Sequence, residues 1–300
     1  MATELNKEKP LIVTQTIDHP RQSVFGSFFS VFLENKAAVV GGLIILFYIF
    51  IAIFAPVLAP YHPHEINLDN KLTPPSIEHW MGTDDKGRDI LSRILYGSRL
   101  SMGVGFAAVI FGAFFGISLG LIAGYYGKWI DSIIMRCMDV LLAFPGILLA
   151  LAIVSALGPS LVNVTIAVGA FSVPLFARIV RGSTLEVKQL EYIDAIRSLG
   201  AKDGTIIFKH ILPNILSPII VQGTLRVATA ILSAAGLSFL GLGAQPPSSE
   251  WGTMLSSGRD FLFTAPYIAI FPGLAIAFLV LGFNIFGDGL RDAFDPRMKK

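Results

Sequence analysis

The sequence is poor in charge and contains almost no cysteine. Asp, Glu, Lys and Arg supply 15% of its 300 residues, against about 25% in soluble globular proteins. The single cysteine, Cys137, excludes a disulfide within the chain. A formal net charge of +2 is too small to indicate nucleic-acid binding. Apolar residues supply 53% and the mean hydropathy is +0.67, so the composition predicts a membrane protein.

The usual sequence for binding ATP is also missing. The pattern G-x-x-x-x-G-K-[ST] does not occur, because Gly127 and Lys128 are followed by Trp129. We therefore expect no cofactor on this chain. If the protein works with ATP, hydrolysis must take place on another chain. No signal peptide is expected either, since the first apolar run, 37–58, is longer than a signal-peptide core.

Two further patterns give little support to a metal site or an enzyme. His62, His64 and Glu65 could ligate a metal, but they stand in an exposed loop with turn residues, and no metal is expected. Residues 116–120 match G-x-S-x-G, a pattern that needs a strand-to-helix elbow to expose its serine. Here it lies in an apolar run, so a membrane enzyme is disfavoured.

Six apolar stretches approach the roughly 20 residues that a helix needs to cross a bilayer. Backbone groups in lipid must be satisfied within a helix or a closed barrel, so we predict an all-α membrane protein with six transmembrane helices. None of the six stretches contains Asp, Glu or His, which argues against a proton-coupled carrier and leaves a sodium-coupled carrier open. The predicted spans are 37–58, 102–126, 140–157, 162–177, 215–240 and 266–286.

The distribution of Lys and Arg predicts the orientation. With the N-terminus inside, 16 of these residues fall on the cytoplasmic side, 6 fall outside, and Arg226 lies within the fifth span. This excess agrees with the positive-inside rule. Both termini, and the polar segment 178–213, are therefore predicted to be cytoplasmic.

That polar segment carries a recognisable pattern. Asp194, Ala195, Gly200, Leu212 and Pro213 stand in the register of the signature E-A-A, three residues, G, nine residues, I-x-L-P. The second alanine and the isoleucine of the signature are replaced here. The segment resembles the cytoplasmic coupling loop of the membrane subunit of an ABC importer.

Other stretches narrow the resemblance. Residues 82–89 read Gly-Thr-Asp-Asp-Lys-Gly-Arg-Asp, residues 244–252 form a Pro-rich loop, and residues 284–296 end in Asp-Pro. From about residue 27 onward the chain resembles the second permease subunit of dipeptide, oligopeptide, glutathione and nickel ABC importers. The resemblance implies the type I ABC importer permease fold and an inner-membrane location in a bacterium. It also implies four kinds of partner: a homologous sister permease, one or two cytoplasmic ATPase subunits that bind ATP and Mg, an external solute-binding protein, and a peptide-like substrate.

The resemblance also divides the chain. It implies a cytoplasmic segment 1–36, a first span 37–58, an extracytoplasmic loop 59–98, a transmembrane core 99–288 with a coupling helix at about 191–203, and a cytoplasmic tail 289–300. The candidates for ATPase coupling are Asp194, Ala195, Arg197, Gly200, Leu212 and Pro213. A short helix with apolar residues on one face can insert into a groove on a partner, and Gly200 can end it in a left-handed conformation. Alternatively, the helix rests on lipid headgroups.

Candidates for the substrate pathway lie in the fifth span. A charge near the bilayer centre usually faces the protein interior or a water-filled cavity. Arg226 is therefore a candidate for contact with substrate, and Gln222, one turn earlier, is a second. The alternative is a structural hydrogen bond from Arg226 to a neighbouring helix.

Two more groups of residues complete the predictions. In the second span Gly112, Gly116, Gly120 and Gly124 recur every fourth residue, which predicts close packing of two helices; glycine is also simply frequent in membrane helices.

The predicted outside loops include residues 82–93 and 243–252. Their turn residues and mixed charge predict that they are ordered and exposed. They are either solvated links or a docking surface for the binding protein. Their candidate docking residues are Asp84, Arg88, Asp89, Glu250 and Trp251.

The sequence thus favours a permease subunit that forms half of a pathway for dipeptides and oligopeptides. Glutathione or nickel are the alternative substrates of the same role. A self-sufficient secondary carrier is the alternative from a different class.

Overall fold

The computed structural model describes residues 33–294 of the chain, and this described part is helical, with a single isolated bridge between Thr83 and Asp89. Most of the predicted cytoplasmic segment 1–36 and residues 295–300 of the predicted tail lie outside the described residues. Short 3-10 turns occur at Leu68–Asn70 and Arg259–Phe261. The helices are α1 Lys36–Leu58, α2 Ile90–Tyr126, α3 Lys128–Leu142, α4 Gly146–Leu157, α5 Leu161–Lys188, α6 Glu191–Ser198, α7 Asp203–Phe239, α8 Trp251–Gly258 and α9 Tyr267–Phe294.

Five of these helices, α1, α2, α5, α7 and α9, are long and apolar enough to cross a membrane. All five coincide with predicted spans, but most extend beyond them. Helix α2 begins at Ile90, twelve residues before the predicted span, and its 37 residues measure about 55 Å. A bilayer core is about 30 Å thick, so the ends of α2 stand outside the lipid.

The predicted span at 140–157 is not one continuous helix in the structure. Helix α3 ends at Leu142, α4 begins at Gly146, and their axes differ by 88°. Pro145 lies at the break and has no backbone N–H to continue the helix, and its ring disfavours helical geometry at Phe144. Helix α4 is about 18 Å long, so it cannot span a bilayer alone. Together, α3 and α4 can form one broken span.

Pro213 precedes the predicted fifth span, 215–240, but the structure places it inside a helical run. The helical run of α7 begins ten residues earlier, at Asp203, and changes its winding on the way. Residues Ile206–Ile211 form π-helix, in which Leu212 N–H donates to the carbonyl of Ile207, and Leu212–Ile215 form a 3-10 turn. Pro213 is accommodated inside that turn, where its lack of an N–H removes no α-helical bond.

Helices α2 and α5 form the closest pair in the fold. The four regularly spaced glycines of α2 all face α5. A Cβ atom added at Gly112 would lie 2.7 Å from Ser172 Cβ, and one at Gly116 would lie 2.5 Å from Phe176 Cβ. Gly120 meets the Ala177 carbonyl in the same way. The backbones approach so closely that only hydrogen fits at these positions.

The outer end of α2 is buried in protein. Residues 59–89 and the loop between α7 and α8 cover it, and α1 and α9 pack beside it. Tyr48 of α1 donates to the carbonyl of Ala275 in α9 at 3.0 Å, and its ring makes an edge contact with Trp251 of α8. This assembly comprises residues 59–89 and 241–266, and it is called the outer cap below after the side of the membrane predicted for it.

Candidate functional site: a coupling segment and two flanking regions

The predicted coupling segment, residues 191–213 and called the coupling segment below, is held against the C-terminal ends of α2 and α5 by apolar contacts. Ile193 of α6 is fully buried. It packs in one cluster with Val180 of α5 and with Ile206 and Ile211 of α7. Ile196 is partly buried at the edge of the same cluster. One face of this short helix is therefore fixed to the transmembrane core.

Gly200 ends α6 in the conformation predicted for it. Its φ of +83° is in the left-handed region that favours glycine. Its N–H donates to the Arg197 carbonyl at 3.0 Å, and Ala201 N–H donates to the Ile196 carbonyl at 3.3 Å. These two bonds, with the Ile196 and Ala201 side chains in the same cluster, form a Schellman motif. The chain therefore reverses sharply after the helix.

The opposite face of α6 is exposed. Arg197 donates to Asp194 at 2.9 Å, one helical turn apart, and Ala195 is exposed beside them. Leu199, at the reversal of the chain, is 87% exposed. A charged pair next to a protruding leucine gives this face both polar and apolar contacts for a partner. Leu199 was not among the sequence candidates, because only the geometry of the turn shows that it points outward.

Leu212 and Pro213 lie away from that exposed face. Both belong to the 3-10 turn of α7, and Leu212 packs against the buried isoleucine cluster. The structure thus separates the six coupling candidates into two groups: Asp194, Ala195, Arg197 and Gly200 around the exposed helix, and Leu212 and Pro213 in the turn beneath it.

Arg226 lies half-buried in α7, within the membrane-spanning part. Among residues 33–294, its guanidinium makes no hydrogen bond or ion pair. The structural alternative, a bond to a carbonyl of a neighbouring helix, is therefore not formed within the described chain. Gln222 lines an open cleft of about 490 Å³ with Pro218 and Arg291. Arg226 does not line this cleft.

The outer candidates are buried, so the expectation that they are exposed is wrong. Each is no more than 5% exposed. Asp84 accepts from Arg88 Nε at 2.7 Å, and Asp89 caps the start of α2 by accepting from Ser92 N–H at 2.7 Å. The second oxygen of Asp89 pairs with His79 Nδ1 at 2.9 Å. These charges bind one another rather than solvent.

The other two candidates join distant parts of the outer cap. Glu250 caps α8 by accepting from Thr253 N–H at 2.9 Å. Trp251 donates from its indole nitrogen to the carbonyl of Ile94 in α2 at 3.1 Å. Arg93, which was not predicted, donates to the carbonyl of Ser248 at 2.9 Å. Glu250 also accepts from the hydroxyl of Ser101 in α2 at 3.3 Å. All three side chains therefore fasten the loop before α8 to the N-terminal part of α2.

Comparisons with known proteins agree with this architecture. Residues 116–300 match the family described as the binding-protein-dependent transport system inner membrane component. Residues 23–75 match the N-terminal TM domain of oligopeptide transport permease C. The chain belongs to this family of permeases. Its role is therefore that of a multi-pass inner-membrane transport subunit of an ABC importer and not that of an enzyme.

The alignments with known relatives span most of the permease. It is 58% identical to a dipeptide transport system permease protein, DppC, of Alkalihalophilus pseudofirmus, over 89% of this chain and 88% of the relative. It is 49% identical to a glutathione transport system permease protein, GsiD, of Pectobacterium atrosepticum, over 98% of both chains. A GsiD of Escherichia coli O6:K15:H31 is 52% identical over 91% and 90%.

A solved structure supports the fold of the permease. The inward-facing MetNI methionine ABC transporter superimposes on it with a TM-score of 0.55 at 19% identity, covering 69% of this chain and 98% of that chain. The predicted ABC importer permease fold is thereby confirmed.

Proposed function

We propose that this permease forms half of a translocation pathway for dipeptides and oligopeptides, which a solute-binding protein delivers from outside. A sister permease forms the other half, and one or two cytoplasmic ATPase subunits supply the energy by binding ATP and Mg. The observation that carries the proposal is the 58% identity to a dipeptide permease over 89% of the chain. Glutathione is the second candidate, because the glutathione permeases match at 49–52%. Nickel is the third candidate.

The coupling segment is the proposed contact with the ATPase. Asp194, Ala195 and Arg197 present the exposed face of α6, and Gly200 fixes its end. Buried Ile193 joins this helix to α5 and α7. A push on the exposed face by a closing ATPase pair is therefore passed to spanning helices as movement of a packed unit. This requires α6 and both termini to be cytoplasmic, as the excess of Lys and Arg on that side favours.

The substrate pathway is proposed to run past α7. An unpaired guanidinium within a span is costly unless it faces water or a partner. Arg226 can meet the carboxylate of a peptide in a cavity shared with the sister permease, with Gln222 nearer the cytoplasmic end of α7. The outer cap serves as the rigid platform on which the binding protein docks. Its buried charges shape that platform rather than touch the partner.

The proposal is tested by affinity purification of the tagged chain from membranes of its native host, followed by mass spectrometry. We expect a second permease and one or two ATPases to co-purify. The associated binding protein is then assayed with dipeptides, longer peptides, glutathione and nickel. Recovery of this chain alone, with transport after reconstitution in the absence of ATP, would instead establish a secondary carrier. If the binding protein binds glutathione but not dipeptides, the proposed substrate changes to glutathione and the proposed role as a permease subunit stands.

A further inference from the structure

Tyr125, near the cytoplasmic end of α2, contacts α5 and both helices of the coupling segment. It is 5% exposed. Its hydroxyl donates to Asp203 Oδ1, at the start of α7, at 2.6 Å. The centre of its ring lies 5.5 Å from Nζ of Lys188 in α5 and 5.9 Å from Cζ of Arg197 in α6. One side chain of α2 therefore reaches α5, α6 and α7 together.

The backbone of Tyr125 adds a fourth contact. The last carbonyls of a helix have no intrahelical donor and carry partial negative charge. Lys188, the last residue of α5, donates its ammonium group to the carbonyl of Tyr125. The preceding residue, Gly124, packs directly on Thr184 of α5. The end of α2 is thus fastened to α5 by packing, by a charged hydrogen bond and by a cation–π contact.

The contacts of Tyr125 with α6 and α7 differ from its contacts with α5. The apolar cluster of the coupling segment includes Leu121 and Tyr125 of α2. Beyond this cluster, the segment meets the end of α2 through the hydroxyl and the ring face of Tyr125. The hydroxyl fixes where α7 begins, and the ring attracts Arg197, whose other contact is Asp194 on the exposed face of α6. A displacement of that face therefore changes the surroundings of Tyr125 directly.

We propose that Tyr125 is a positioning residue that sets the orientation of the coupling segment relative to the α2–α5 pair and so determines how much ATPase movement reaches the spans. This inference rests on the proposed function of the segment. Tyr125 touches neither substrate nor nucleotide in this role. Removing its hydroxyl leaves the buried ring and both cation–π contacts. It removes the bond to Asp203 at the start of α7 and the interaction of the hydroxyl with Arg197 of α6.

The chain supplies a close control for that change. Tyr126 is the next residue, is exposed, and its hydroxyl makes no hydrogen bond among the described residues. Tyr125→Phe and Tyr126→Phe therefore remove the same atom one residue apart. Asp203→Asn weakens the Tyr125 bond from its other end, and the double variant Tyr125→Phe with Asp203→Asn tests whether the two act through one contact.

The first measurement is transport and ATP hydrolysis by the whole complex in proteoliposomes with its binding protein. We expect Tyr125→Phe and Asp203→Asn each to lower transport per ATP several-fold while the ATPase co-purifies in wild-type amount. Tyr126→Phe should match the wild type. The double variant should be no worse than the more affected single variant. A lower protein yield with an unchanged ratio of transport to ATP hydrolysis would mean that Tyr125 has a merely structural role. Additive effects in the double variant would show that Tyr125 and Asp203 act separately. Either result overturns the proposal.

The second measurement reports the position of the coupling segment and does not depend on transport or ATP hydrolysis. Spin labels on Leu199→Cys and Ser132→Cys, in a Cys137→Ser background, give the distance between the turn after α6 and α3. We expect the distance distribution to broaden in Tyr125→Phe and Asp203→Asn and to stay narrow in Tyr126→Phe. Equal distributions in all variants would overturn the role of Tyr125. If the wild type recruited no ATPase, the proposed function would fail, and this distance would still decide whether Tyr125 positions the segment.

Discussion

Arg99 of α2 binds the backbone carbonyl of Ala52 in α1. Its Nε donates to that oxygen, and its Nη2 donates to the carbonyl of Ile53 at 2.8 Å. Four residues after Ala52 stands Pro56, inside the same helix. Proline has no N–H and crowds the carbonyl of residue i−4, so Ala52 lacks its normal donor. Arg99 replaces the hydrogen bond that Pro56 removes and thereby joins α1 to α2.

Arg99→Met is therefore expected to destabilise the protein by about 1.5–3 kcal/mol, the usual range for a hydrogen bond to a charged group. The loss should be smaller in a Pro56→Ala background, because the alanine introduced there has a backbone N–H that can serve the Ala52 carbonyl. Thermal unfolding of the purified protein in detergent measures both. Lys71→Met, which removes an exposed cation of the outer cap, is the control. Equal losses with and without Pro56 would disprove the link between the two residues.

A second prediction concerns the glycine contacts between α2 and α5. Gly116→Ala places a Cβ atom 2.5 Å from Phe176 Cβ and 2.7 Å from the Val173 carbonyl. Overpacking of this kind costs about 1–3 kcal/mol and displaces the backbone. We expect a lower melting temperature and less protein in the membrane. Gly103→Ala, in the same helix but with no atom within 4 Å of the added Cβ, should be tolerated. Similar behaviour of the two variants would show that the close approach is not needed.

The glycine contacts and the five long spans could be predicted because each depends on a local pattern. A 20-residue apolar run and a four-residue repeat are visible without knowing what lies opposite. The break after α3 could not be predicted from its proline alone. Pro174 and Pro272 occur inside helices that continue past them, so the residue type does not decide the outcome.

The outer cap was mispredicted for a different reason. Its charges look exposed in a sequence full of turn residues, but their partners are far away along the chain. Arg93 and Ser248 are 155 residues apart, and Ser101 and Glu250 are 149 apart. Only the folded structure shows that these polar groups satisfy one another. The turn residues and mixed charge of the loops predicted that they are ordered but did not predict that they are buried.

Asp84→Ala should therefore unfold the outer cap rather than merely weaken docking. It leaves Arg88, which is buried, without its 2.7 Å partner. Removing one member of a buried pair typically costs about 3–5 kcal/mol. We expect increased proteolysis of residues 59–89 and a lower melting temperature. Lys86→Ala, in the same loop, should have little effect. Normal stability of Asp84→Ala with weaker binding of the solute-binding protein would restore the interpretation of Asp84 as a docking residue.

The end of the coupling helix provides a fourth prediction. A Cβ at Gly200 meets no atom within 4 Å, so the cost of a substitution comes from its φ of +83°. For a residue other than glycine this is about 1–2 kcal/mol. Gly200→Val should lower transport per ATP, and Gly200→Asn should do so less, because asparagine tolerates the left-handed region. Gly182→Val, where φ is right-handed and space is open, is the control. Wild-type uptake in Gly200→Val would argue against coupling through this turn.

The last prediction concerns Arg226. If its guanidinium meets a peptide carboxylate, Arg226→Ala removes a charged hydrogen bond worth about 1.5–3 kcal/mol, or roughly 10–150-fold in transport at low peptide concentration. Arg226→Lys keeps the charge but loses the planar set of donors of the guanidinium. Its transport should therefore lie between that of the wild type and that of Arg226→Ala. Assembly with the ATPase should be normal in both. Thr224→Val, whose hydroxyl bonds only within α7, controls for changes in the helix. A complex that fails to assemble with Arg226→Ala would instead identify the residue as part of the interface between subunits.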